Sequence, residues 1–78
     1  MNTIALYDRV YITENLNNTP YVKGDVGVVA HIYDDGSAFE IEFFAIDGTT
    51  LSVETIASNL IRSCAGIKSV PHILDRAA

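Results

Sequence analysis

The feature that most constrains this chain is the dipeptide Asp35-Gly36, which lies between two runs of alternating apolar residues, Val26 to Tyr33 and Ala38 to Phe43. Asp-Gly in that setting is a strong short-range hairpin signal and favours a two-residue type I′ turn. A two-residue loop pairs Asp34 with Ser37. It then sets Ile32 opposite Phe39, Ala30 opposite Ile41, and Val28 opposite Phe43. All six are apolar and share one face. The other face pairs Tyr33 with Ala38, His31 with Glu40, and Val29 with Glu42. Because the side-chain period of a strand is two, turn and pattern agree on which face is buried.

The flanking segments extend this ribbon. Tyr7 to Thr13 reads as a first strand, with Val10 and Ile12 on the inner side, and Asp8 at the end of the same face. The stretch from Glu14 to Val22, with three Asn, a Thr and Pro20, opposes both helix and strand. Leu16 and Val22 are expected to tuck inward and hold that loop down. Lys23-Gly24-Asp25 reads as a tight turn. Gly27, inside the second strand, signals a bulge or a close backbone approach.

A second turn centres on Asp47-Gly48. A three-residue loop, Ile46-Asp47-Gly48, with Gly48 left-handed in a G1 bulge, sets Phe43 opposite Leu51 and Ile41 opposite Val53. Leu51 to Glu54 becomes a fourth strand. Thr55 to Asn59 suits one 3₁₀ turn, and Leu60-Ile61-Arg62 a short fifth strand. The expected fold is all-β: a small five-stranded SH3-like barrel over residues 1–63, with a 3₁₀ turn before the last strand. An OB-fold wants longer strands and a helix. Residues 64–78 form an apolar tail, with Ile67, Val70, Ile73 and Leu74, expected to pack on the barrel or a second subunit.

Size and charge exclude several classes. At 78 residues the chain is one domain, and a core this small supplies about 3–5 kcal/mol net. A binding module or subunit is favoured over an enzyme. Five Lys/Arg against ten Asp/Glu give a net charge of −5, which opposes nucleic-acid binding through phosphate neutralisation. The lone Cys64 cannot form an internal disulfide, and no apolar run approaches the ~18 residues of a membrane span. The expectation is a cytoplasmic protein that engages neither nucleic acid nor membrane.

Several segments resemble a family of short bacterial proteins catalogued as a domain of unknown function: Leu6-Tyr7-Asp8-Arg9-Val10, Lys23-Gly24-Asp25-Val26-Gly27-Val28-Val29, His31-Ile32-Tyr33, Asp35-Gly36 and Ala38-Phe39-Glu40-Ile41-Glu42-Phe43. The family pattern runs D-x-V-x-L-x-E-x-L, L-x-x-G-D-x-G-x-V-V, Y-x-D-G-x-A-[YF]-E-V-E-F, D-G-x-T-L. The resemblance covers Leu6 to Ile56, about two thirds of the chain. It implies an SH3-like barrel. Because such genes often lie beside toxin-like genes, it also implies an antitoxin or immunity role. The chain departs from the pattern in its Asn-rich loop, Asn15 to Pro20, and after Ile61.

Seven carboxylates and no Lys or Arg lie between Gly24 and Ile61: Asp25, Asp34, Asp35, Glu40, Glu42, Asp47 and Glu54. Turn chemistry accounts for Asp25, Asp35 and Asp47. It does not require Glu40 and Glu42, which share one strand face about 7 Å apart. Such a face either steers a basic protein, as a nuclease-like toxin must be, or merely keeps a small apolar domain soluble. The candidate partner-binding residues are Glu40, Glu42, His31, Tyr33 and Asp34, with Tyr11 and Tyr21 flanking the long loop like the walls of an aromatic peptide groove. The bland reading of the tyrosines is that they cap the barrel ends with hydroxyls in water. His31 beside Glu40 offers too few ligands for a metal. Cys64 reads as a small half-buried apolar residue, and no catalytic group, metal or cofactor is expected. A second reading is a homodimer built through the tail.

Overall fold

The computed structural model describes residues 4–65. β1 (Arg9–Ile12), β2 (Val26–Ile32), β3 (Ala38–Phe44), β4 (Thr50–Ala57) and β5 (Ile61–Ser63) form one antiparallel sheet in the order β4-β3-β2-β1-β5. A 3₁₀ turn, Ser58–Leu60, leads from β4 into β5. Five strands and a 3₁₀ turn before the last match the sequence expectation. The two edge strands are joined by that turn but share no ladder, so the sheet does not close into a full barrel. β4 runs three residues further than its sequence suggested. From the tail, Cys64 and Ala65 are described; the packing expected for the rest lies outside the described residues.

The β2–β3 hairpin keeps its expected register at the loop end, with Ile32 opposite Phe39 and His31 opposite Glu40. The turn differs from type I′. Tyr33 pairs with Ala38 across four loop residues, the Gly36 N–H donates to the Tyr33 carbonyl at 2.8 Å, and Gly36 alone takes positive φ, +71°. Asp35 instead accepts the Ser37 N–H at 2.9 Å. A four-residue loop closing on Tyr33 and Ala38 leaves the same partners as a two-residue loop closing on Asp34 and Ser37, so the register survives the change of turn.

Further along, the ladder shifts between Val29 and His31, and Val29 rather than Ala30 faces Ile41. Val29 is therefore fully buried, and Val28 points the other way. The run Val28-Val29-Ala30 is apolar on both faces, so its pattern could not fix the choice. Gly27 fixes it: a Cβ there would lie 2.4 Å from Ile41 Cγ2 and 2.9 Å from the Glu42 carbonyl. That is the close backbone approach its place in a strand signalled.

The β3–β4 turn is the three-residue loop expected, with Gly48 at φ +90° and Ala45 donating to Thr49 at 2.8 Å. The ladder then shifts between Phe43 and Phe44, leaving Leu51 unpaired. Phe43 consequently faces Ser52, and Ile41 faces Glu54, in place of Leu51 and Val53. Ser52, Glu54 and Ile56 take the inward positions, and Val53 is 48% exposed.

The long loop is fastened by its own polar groups. Leu16 donates to the Tyr21 carbonyl, Thr19 Oγ1 donates to the Leu16 carbonyl, and Lys23 N–H donates to Asn15 Oδ1. Leu16 packs against the core as expected, but Val22 is exposed and Tyr21 enters instead. Neighbouring residues in this extended stretch point opposite ways, and the larger ring takes the buried position. Asp25 closes the loop, fully buried, with Oδ2 accepting the Val22 N–H at 2.9 Å.

The two hairpin aspartates give a pH signature. The hydroxyl and N–H of Ser37 hold Asp35 below the ordinary carboxylate value, and the Thr49 N–H and hydroxyl do the same for Asp47. A depressed folded-state pKa stabilises above the unfolded value near about 4, and the contribution is lost as pH falls through the lower folded value. Asp35→Asn/Asp47→Asn should therefore flatten the fall in Tm below about pH 4 while leaving its profile between pH 5 and 8 unchanged.

Candidate functional site

The outer face of β2 and β3 gathers four of the seven candidate residues. The bulge in β2 leaves His31 and Tyr33 on the same side as Glu40. The Tyr33 hydroxyl donates to Glu40 Oε2 at 2.6 Å, and the His31 and Tyr33 rings meet edge to face at 4.8 Å. The Glu40 carboxylate, by accepting that proton, raises the Tyr33 hydroxyl above the ordinary phenol value. One strand position away, Glu42 Oε2 accepts the Thr50 hydroxyl at 2.6 Å. Among the described residues the partners of these two glutamates are thus hydroxyls, which orient the carboxylates without neutralising them.

The same face is polarised. Arg9 and Arg62 lie exposed on β1 and β5, at the opposite end of the sheet from Glu40 and Glu42. The absence of basic residues from Gly24 to Ile61 becomes, in space, one acidic half and one basic edge.

The remaining candidates fall elsewhere. Asp34 is exposed at the hairpin tip. Tyr11 is half-buried on the outer side of β1, with β2 between it and β3. Tyr21 is 2% exposed and stacks on Phe43 with ring centroids 4.0 Å apart and planes at 15°. It therefore neither caps an end in water nor forms a groove wall with Tyr11: one ring is inside the core and the other outside it. A ring this deeply buried needs a partner for its hydroxyl, and β4 supplies one.

Sequence reasoning missed the resulting chain. The Tyr21 hydroxyl lies 2.6 Å from Ser52 Oγ, and Ser52 Oγ donates to Glu54 Oε2 at 2.9 Å. Val53, expected inward, turns out because the bulge at Leu51 reverses the strand's faces beyond it, while Leu51 itself packs against the core as expected.

An open cleft of about 340 Å³ lies beside the β2–β3 loop, lined by Ile4, Gly36, Phe39, Ser58, Ile61 and Arg62. Its one ionisable lining residue is Arg62, so no acid–base pair faces it. Among the described residues no three His, Cys, Asp or Glu side chains are grouped to hold a metal. Burial pushes the Cys64 thiol up, against a weaker pull from Arg9, which disfavours the nucleophilic thiolate. No helix among the described residues is long and apolar enough to cross a membrane.

Among the described residues, a five-stranded antiparallel sheet with an acidic outer half and β4 at one edge is the class of domain these observations define. The chain belongs to the family described as a domain of unknown function, DUF4926, whose model matches residues 6–63. That span takes in every strand among the described residues, and both Glu40 and Glu42. No curated protein and no solved structure matches the chain.

Proposed function

We propose that this chain is a non-catalytic protein-binding domain whose acidic outer face docks a basic protein partner. The observation that carries the reading is the placement of Glu40 and Glu42 on one face, held by Tyr33 and Thr50 hydroxyls rather than by cations. Carboxylates ordered by hydroxyls, with no cation paired to them among the described residues, on a chain of net charge −5 create a field that steers a positive surface to the site. A nuclease-like toxin carries such a surface because it must grip phosphates. An antitoxin or immunity role in a bacterial cytoplasm follows as the finer form of the proposal.

The test is charge reversal, Glu40→Lys/Glu42→Lys, measured against the partner that co-purifies with the tagged chain. Binding should weaken by at least about tenfold in 0.15 M salt, and its salt dependence should flatten. Tm should barely change, since the hydrogen bonds lost are exposed. Unchanged affinity in the reversed protein would place the partner elsewhere.

A further inference from the structure

Among the described residues β4 is an edge strand of the sheet. Natural sheets blunt their edges with short strands, Lys, Pro, bulges or inward-pointing charges; β4 has a bulge at Leu51 and an inward Glu54 but lacks the other devices. β4 is eight residues long, the longest strand of the sheet, and Thr50 to Ala57 contains neither Lys nor Pro. β3 is its one strand neighbour among the described residues. The direction of its backbone follows from the ladder. Ser58 donates to the Ser37 carbonyl at 2.9 Å, and hydrogen-bonded pairs recur every second residue. Ile56, Glu54 and Ser52 therefore bond to β3, and the N–H and C=O groups of Val53, Thr55 and Ala57 point off the sheet.

The geometry points to this edge as the place where an extended segment of the basic partner adds as a sixth strand, with Arg or Lys at alternate positions. The inference rests on the acidic-face reading and supplies its docking mode. Val53 is paired with Glu42, and Thr55 with Glu40. A side chain projecting outward from a strand added to β4 starts two strand spacings from those carboxylates, about 10 Å. The stem of Arg or Lys can lie over exposed Val53 and carry its charged head to them. Glu54 offers a further carboxylate on the inner side. A second copy of this chain is the poorer occupant, because β4 against β4 would bring together two acidic edges, each on a chain of net charge −5.

Ala57 provides a clean test. Its φ is already −61°, the value proline imposes, and its N–H is not used by the ladder. Ala57→Pro should fold normally and block strand addition. An amide-to-ester replacement at Thr55 removes one edge donor and keeps the side chain. The probe is a capped peptide of alternating Arg and Thr, with a Glu/Thr peptide as control. Addition of the Arg peptide should shift and protect the amides of Val53, Thr55 and Ala57. Both edge variants should weaken its binding, Ala57→Pro by at least about tenfold. If Glu40→Lys/Glu42→Lys loses the peptide while both edge variants keep it, strand addition is overturned and the face reading stands. If the edge variants lose it and charge reversal does not, the edge is the site and the acidic-face reading falls. Binding of the Glu peptide to the same extent, or protection of the three amides by raising protein concentration alone, would overturn the basic occupant.

Discussion

Gly27→Ala should remove most of the stability of this domain, about 3 kcal/mol, at the upper end of what overpacking costs. Ala in a strand interior is ordinarily the better residue by about 0.5–1 kcal/mol. The sign reverses here because the added Cβ would sit 2.4 Å from Ile41 Cγ2 and 2.9 Å from the Glu42 carbonyl oxygen. Neither neighbour can retreat: Ile41 is fully buried, and the other contact is backbone. At Gly48 the requirement is the reverse, a φ of +90° with nothing within 4 Å of a Cβ. Against a net stability of about 3–5 kcal/mol for a core this size, Gly27→Ala should bring the urea midpoint close to zero. A midpoint equal to or above that of the parent would show that β2 and β3 are not packed as described.

Tyr21→Ala should be comparably damaging, about 3–5 kcal/mol, as for other large aromatics removed from a core. The ring is 2% exposed, lies flat on Phe43 and is the main apolar anchor of the loop between β1 and β2. Tyr21→Phe separates the ring from its hydroxyl. Ser52 keeps Glu54 as an acceptor, so the loss should be about 1 kcal/mol, or a fall in Tm of about 4–8 °C. The informative quantity is the gap between the two variants. If Tyr21→Ala melts within a few degrees of Tyr21→Phe, the loop is not held by its ring, and the inward placement of Tyr21 is wrong.

The contrast between β3 and β4 shows where the sequence sufficed. β3 alternates Phe39, Ile41 and Phe43 with Glu40 and Glu42, and burial follows that alternation along the strand. Exposing three large apolar side chains and burying two carboxylates is costly enough that no local adjustment can reverse it. The acidic face was legible for the same reason. In β4 no single alternation holds: Leu51 packs against the core, yet beyond it Val53 turns out and Ser52, Glu54 and Ile56 take the inward side. A single unpaired residue at Leu51 then decides the strand, together with the need of a buried tyrosine hydroxyl for a partner.

The amino-acid order by itself thus determined the class of fold, the position of both hairpins, the inward face of β1 and β3, and the segregation of carboxylates from cations. Those properties depend on period, turn chemistry and charge, which are local. Tertiary structure decided the bulges in the β2–β3 and β3–β4 ladders, the burial of Tyr21 in place of Val22, the separation of Tyr11 from Tyr21, and the place of β4 at the edge of the described sheet. Each of these depends on which distant side chain fills a given volume or satisfies a given polar atom, and no stretch of sequence carries that information alone.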